Sequence, residues 1–180
     1  METAARYTEA KIKTYGFETR LNRCLCEFGL ASEPEGQLQP AHAAGDLTAI
    51  PFDMVFMEPP DGDRYPLAVV AAARHRHTLR RFVAGMMPRQ TDIDMRITAP
   101  VELLDFFGPH LGDRFGIADA TCRALDQNNI RLMASAFSSS SVFLVLAEHG
   151  AAMAKAIFAD LFEIPQTVQR PSFLPDKRCK

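Results

Sequence analysis

Residues 115–163 read FGIADATCRALDQNNIRLMASAFSSSSVFLVLAEHGAAMAKAIFADLFE, and the order of apolar residues within them decides the fold. Ile117, Ala120, Ala124 and Leu125 recur at three and four residues, which gathers apolar side chains on one face of a helix. The runs 129–137 and 141–147 are apolar and of strand length. Between them stand Ser138 to Ser141. Four serines there read either as a hairpin turn, with hydroxyls satisfying nearby backbone groups, or as the lining of a place where a small polar molecule docks. The turn is the simpler reading. Met153, Ile157 and Leu161, with Ala154 and Phe158, then define the inner face of a second helix.

Working outward, VELLDFF (101–107) reads as a strand and GPHLGDRFG (108–116) as a glycine-bearing loop. TVQR (167–170) supplies a short final strand. The segment from 101 to 170 therefore spells strand, helix, strand, strand, helix, strand, the split βαβ pattern of ferredoxin-like domains. The residues before it spell the same order. RYTEAKIKT (6–14) alternates as a strand does. GFETRLNRCLCEFGL (16–30) is predicted helical, with Phe17, Leu21, Cys24, Leu25 and Phe28 on one face and Gly29 at its end. Residues 31–46, with Pro34, Gly36, Pro40 and Gly45, read as an inserted loop. Strands are expected at 47–58 and 67–74, on either side of the turn PPDGDRYP, and a helix at 77–87 that Pro88 ends. A strand at 91–99 closes that half, punctuated by Pro100. Gly16 and Gly116 stand one hundred residues apart, and at the same offset Phe17 faces Ile117, Arg23 faces Arg123 and Leu25 faces Leu125. Such matching points to an internal duplication. The expected fold is α+β: two ferredoxin-like βαββαβ domains, residues 5–99 and 100–172, with antiparallel sheets, helices on one face, and a tail at 173–180.

Composition sets outer bounds. The 180 residues are 47% hydrophobic and 23% charged, which is ordinary for a globular chain. A net charge of −2 gives no broad basic field for nucleic acid or an anionic membrane surface. No apolar run approaches the ~20 residues of a membrane span, and the N-terminal segment lacks a signal-peptide pattern. A cytoplasmic protein is expected. The four cysteines are too sparse for a disulfide scaffold. Cys24 and Cys26, two apart on the expected helix, point different ways, and neither they nor His75 and His77 match a structural zinc spacing. No metal or cofactor is expected.

Residues 115–163 resemble the second ACT domain of aspartate kinases. Gly116 stands where those domains open their first helix. Arg123, Ala124 and Leu125 match that helix, and Asn129, Ile130 and Arg131 match the asparagine-isoleucine-arginine that enters the next strand. Ser138 falls at a serine-bearing turn, and ADLFE (159–163) at the end of the closing helix. GFETRLNRCLCEFGL is similar to the opening of a first ACT domain. No part of the chain resembles the kinase catalytic domain. The resemblance thus implies a free-standing regulatory module that binds an amino acid or similar small effector, and that works as a homodimer or on a partner enzyme. Such domains bind effectors at the loop between first strand and first helix and on the adjoining second strand. That places the candidate ligand residues at His110, Gly112, Asp113, Arg114, Phe115, Gly116 and Ile117, at Arg131 and Ser135, and at Tyr15, Gly16 and Phe17. Tyr15 and Phe115 replace the family's usual proline before the glycine.

Physical chemistry supports the same loop. A helix N-terminus presents unpaired N–H groups and partial positive charge to a carboxylate. Asp113 suits an ammonium group, and Arg131 suits a second carboxylate. Spaced glycines are equally well read as plain turn chemistry. RHRHTLRR (74–81) is the one dense basic cluster, readable as a solvated helix start or as a contact for an acidic ligand. Two further readings stay open: a small enzyme using His110, Asp113 or His75 as acid–base group, and a structural oligomer that binds nothing.

Overall fold

In a computed structural model the residues described are 11–31, 50–57, 64–86, 95–109, 111 and 116–163. The expected strand at 167–170, the inserted loop at 31–46 beyond its first residue, and the tail at 173–180 lie outside them. The elements run β1 (Ile12–Lys13), β2 (Phe17–Ala31), β3 (Phe52–Met57), β4 (Arg64–Ala72) and a 3₁₀ turn (Ala73–His75). There follow α1 (Arg76–Met86), β5 (Met95–Phe107), α2 (Ile117–Gln127), β6 (Leu132–Phe137), β7 (Ser141–Ala147), α3 (Gly150–Leu161) and β8 (Phe162–Glu163).

One sheet carries the molecule. Its six strands lie in the order β3-β4-β2-β5-β7-β6, while β1 and β8 pair in parallel as a separate ribbon. All neighbours in the large sheet are antiparallel. The expected α+β class with ferredoxin-like halves is what the strand order shows. β3-β4-β2-β5 gives the ferredoxin order for the first half, and β6-β7-β5-β2 gives it for the second. The halves are not laid end to end as the sequence suggests. They share β2 and β5, each of which is the first strand of one half and the last strand of the other. Residues 99 and 100, where the expected division falls, lie inside β5.

Two expectations are corrected. Residues 16–30 form no helix; all but Gly16 lie in the fifteen-residue strand β2. The cause is a register irregularity. Arg20 pairs with Leu103 and Arg23 with Val101, so β2 takes one residue more than β5 over that span, and Asn22 adopts a positive φ of 54°. Side chains change parity across the bulge. Phe17 and then Cys24, Cys26 and Phe28 therefore all reach the helix-covered side, which mimics a spacing of three and four. Leu21, assigned to the inner face of a helix, is 59% exposed in the bulge. In a strand Cys24 and Cys26 point the same way, into the core beneath α1. The hundred-residue alignment falls with the helix, since it sets a strand against α2. Corresponding elements begin instead at 52 and 132, 64 and 141, and 76 and 150. The second correction is that 91–99 and 101–107 do not give two strands. β5 runs through Pro100, which sits where β5 bulges between Thr98 and Val101, so the proline's missing N–H interrupts no regular ladder.

Three clusters fill the interior. Leu104, Phe106, Leu144 and Leu146 meet Leu125 of α2 and Ala154 and Phe158 of α3. Cys24, Cys26, Val69 and Ala71 meet Leu79 and Val83 of α1. The alternate residues of the same strands, Leu25, Val70, Val101, Leu103 and Val145, form a third cluster with Met54, Phe56, Met133 and Phe143. The three helices among the described residues therefore cover one face of the sheet, opposite this third cluster. Glu102, on the helix-covered side of β5, accepts a 2.8 Å hydrogen bond from the Ala151 N–H and so caps the start of α3 from the sheet. No helix of the described residues is long and apolar enough to cross a membrane.

Candidate functional site

The strand–helix loop of the second half runs from Phe107 to Gly116, and several elements hold its ends. The Gly108 N–H donates to the Ser140 carbonyl at 3.0 Å, and the Tyr15 N–H donates to the Phe107 carbonyl at 2.7 Å. Gly108 must be glycine, because a Cβ there would lie 2.6 Å from the Lys13 carbonyl oxygen. At the other end Gly116 adopts φ 89°, turns the chain into α2, and accepts the first helical hydrogen bond from the Ala120 N–H at 2.8 Å. Gly116 has no side chain to cap α2, and among the described residues no side chain accepts from the N–H groups of its first turn.

A cavity of about 220 Å³ opens at this terminus, lined by Leu111, Gly116, Ile117, Ala118, Phe137, Ser138 and Val142. Its walls are apolar except at the helix end and Ser138. The serine run closes the β6–β7 hairpin. Ser138 Oγ receives the Ser141 N–H at 2.9 Å and the Ser140 N–H at 3.4 Å, and donates to the Ser141 carbonyl at 3.2 Å. Its hydrogen-bonding capacity goes into the turn. What the cavity offers is a partly positive helix end beside an apolar wall, a setting for a carboxylate attached to a small apolar group.

The structure brings together some of the sequence-expected residues. Gly116 and Ile117 line the cavity. Tyr15 and Gly16 join β1 to β2 and stand beside Phe107, so they belong to the surroundings of the second-half loop and form no strand–helix loop in the first half. Tyr15 is 55% exposed. Phe17 is core: its ring packs edge-on against Phe106 at 5.3 Å and lies 6.1 Å from Phe158 and 6.4 Å from Phe162. Arg131 lies at the far end of β6, where its carbonyl accepts from the Ala147 N–H. Six strand residues separate it from Ser138, roughly 20 Å at ~3.3 Å per residue. Ser135 is exposed in the middle of β6. His110, Gly112, Asp113, Arg114 and Phe115 lie outside the described residues.

Sequence reasoning missed Leu111, Ala118, Phe137 and Val142, and it set Ser138 aside as a plain turn residue. The available signal was the pairing of β6 with β7: an antiparallel hairpin after α2 sets its turn, not its first residue, beside the helix start. Among the described residues no three His, Cys, Asp or Glu side chains gather as a metal-binding group. Burial pushes the Cys24 thiol up, and the Cys26 thiol up to about 11, so both stay protonated and unreactive at neutral pH.

A second polar constellation lies on the helix-free side, around the first residues of β2. Asp105 is fully buried and both its carboxylate oxygens lack a hydrogen bond. Its nearest cation is Arg20, with Nη1 at 3.6 Å. Arg20 also approaches Glu18 at 3.7 Å and Asp53 at 3.8 Å, and Arg23 Nε lies 2.7 Å from Asp53 as a charge contact without hydrogen-bond alignment. Burial raises the Asp105 pKa above the usual carboxylate range; Arg20 opposes the rise and Asp53 adds to it.

No family model and no curated protein matches this chain. Solved structures do. The chain has the fold of aspartate kinase regulatory regions. The regulatory subunit of aspartate kinase from Thermus thermophilus, in its ligand-free form, superposes with a TM-score of 0.66 at 12% identity, over 85% of this chain and 99% of that one. Aspartate kinase from Synechocystis superposes with a TM-score of 0.70 at 15% identity, over 93% of this chain but 30% of the enzyme. Escherichia coli aspartokinase III in complex with lysine and aspartate gives a TM-score of 0.53 at 16% identity, over 87% of this chain and 35% of that one.

Proposed function

We propose that the chain is a regulatory module that binds an amino-acid-like effector at the start of α2 and acts through dimerisation or on a partner enzyme. The observation that carries this reading is the cavity between the Gly116-led helix terminus and the Phe137–Ser138 end of β6, on a fold shared with aspartate kinase regulatory subunits. The effector's carboxylate would meet the helix N–H groups, and its side chain would meet Leu111, Phe137 and Val142. Two features support coupling to assembly. β3 and β6 are the outer strands of the large sheet, and Val55 and Met57 on β3 are exposed, which suits pairing with a second copy. An effector that binds the paired state better shifts the pairing equilibrium by the difference in affinity.

Thermal unfolding of the full chain with the twenty amino acids tests the reading. A binding amino acid at a hundred times its Kd stabilises by about 2.7 kcal/mol. Ala118 is exposed, so Ala118→Glu leaves the fold intact while placing a carboxylate at the helix terminus. It is expected to remove the response to ligand. An absent response to every amino acid, or an undiminished response in Ala118→Glu, overturns the assignment.

A further inference from the structure

The basic run Arg74 to Arg81 stands apart from the site above, on the other half of the molecule. It begins in the 3₁₀ turn and continues through the first turns of α1. A cavity of about 200 Å³ is lined there by Arg76, His77 and Arg80 from the helix and by Ile97 and Ala99 from β5. Two properties of this cavity bear on what it holds.

The first is uncompensated charge. Arg76 and Arg80 are four residues apart, so their guanidinium groups share one helix face and repel each other. They lie at the helix end that already carries partial positive charge, and the first turn of α1 contains no acidic residue. No described carboxylate lies within ion-pair distance of either. Both side chains are exposed, and both line the cavity. Elsewhere the chain does pair its arginines, Arg23 with Asp53 at 2.7 Å and Arg123 with Asp119 at 2.8 Å.

The second is donor geometry. Arg76 Nε donates to His77 Nε2 at 3.3 Å. The arrangement fixes Arg76 by its Nε and leaves its two terminal nitrogens for another acceptor. Guanidinium forks match tetrahedral oxyanions bidentately, and two forks four residues apart are able to grip different oxygens of one group. The volume falls below the ~300 Å³ at which pockets begin to enclose drug-sized ligands, so the occupant is small. Ile97 and Ala99 form the apolar side of the cavity, opposite the two arginines.

We infer that the cleft between α1 and β5 is a second ligand site, one that binds the terminal phosphoryl group of a small metabolite through Arg76 and Arg80. The inference is independent of the amino-acid reading of the α2 terminus.

Titration calorimetry of the full chain with inorganic phosphate and pyrophosphate, at ionic strength held constant with chloride, tests it. Succinate and a short single-stranded oligonucleotide serve as comparison ligands. Saturable binding of phosphate or pyrophosphate is expected. R76Q/R80Q is expected to weaken that binding by about tenfold or more, through loss of charge-assisted bonds. The same variant should retain its circular dichroism spectrum, unfold no earlier than the parent without ligand, and keep any response to amino acids. Binding no stronger than the chloride control, unchanged affinity in R76Q/R80Q, succinate binding as tightly as phosphate, or preference for the oligonucleotide overturns the assignment. Each of these outcomes leaves the amino-acid response readable, so the two sites stand or fall separately.

Discussion

The two halves of the sheet share β2 and β5, yet they are built from different materials. Beneath α2 and α3 the core is aromatic: Phe17, Phe106, Phe158 and Phe162 lie with ring centroids 5.1 to 6.4 Å apart. Beneath α1 the core is made of smaller groups, Cys24, Cys26, Val69, Ala71, Leu79 and Val83, with Phe28 as its one fully packed ring. The starts of the helices differ too. α2 begins at a glycine with positive φ and has Asp119 in its first turn, whereas α1 begins among arginines and histidines. One topology thus carries an aromatic half, whose first helix opens on a glycine, and a lighter half whose helix opens among basic side chains.

The largest expected effect tests the contrast in cores. Phe158 touches three other rings and is fully buried, so Phe158→Ala should destabilise by about 3–5 kcal/mol. Cys26→Ala, in the lighter core, should cost about 1 kcal/mol. Urea unfolding of both variants measures the difference, and equal midpoints would break the comparison. Next in size are the two ends of the ligand loop. Gly108→Ala drives a Cβ to 2.6 Å from the Lys13 carbonyl oxygen and should cost about 1–3 kcal/mol, because backbone must move. Gly116→Ala meets open space but keeps a left-handed φ, so about 1 kcal/mol is expected. If Gly116→Ala proves the worse of the two, steric approach is not what fixes the loop.

The same contrast explains what was legible in the sequence. The second half reads well at α2, where Ile117, Ala124 and Leu125 keep an unbroken helical period, and at the serine turn between two clean strands. On α3, Ala154 and Phe158 face inward as expected, but Met153 and Leu161, assigned to the same face, are exposed. The strands at β3 and β4 and helix α1 are also where patterning puts them. β2 fails for a local reason. Its bulge at Asn22 switches the inward face from Phe17 to Cys24, and burial on both sides at Leu25 and Cys26 erases alternation. A fifteen-residue strand shared by two halves has no period of its own to show. The site was half legible. Glycine punctuation marks the α2 terminus, but which end of β6 faces it depends on antiparallel pairing, and so Arg131 and Ser138 exchange places between expectation and structure.

Asp105 sharpens the comparison from the helix-free side. Its folded-state pKa is raised, so in the unfolded chain the carboxyl ionises first, near 3.9. Below that pH the group is protonated in both states and contributes nothing. As pH rises past it, the unfolded state releases its proton while the native state holds on, and stability falls until the native group also ionises. At neutral pH the charge is a net burden that Arg20, shared with Glu18 and Asp53, offsets only in part. Asp105→Asn should therefore raise stability at pH 7, and its charge-related effect should vanish as the pH falls well below ~3.9. Unfolding midpoints from pH 3.5 to 8 check this. A variant less stable than the parent at pH 7 would show that the Arg20 contact outweighs burial.

The smallest effect concerns the helix starts. Asp119 and Arg123 form a 2.8 Å pair at i and i+4, acid toward the N-terminus, on an exposed face of α2. The order suits the helix dipole, and the pair should contribute about 0.3–0.5 kcal/mol at low salt. Arg123→Ala should lose that amount at 50 mM salt and almost none at 1 M, where the screening length falls to about 3 Å. α1 should answer salt in the opposite sense, because its Arg76 and Arg80 repel and screening relieves them. Comparing the parent, Arg123→Ala and R76Q/R80Q across one salt series isolates the two responses. If added salt destabilises the parent and R76Q/R80Q equally, the cations of α1 are not in conflict, and the electrostatic difference between the halves reduces to the single pair on α2.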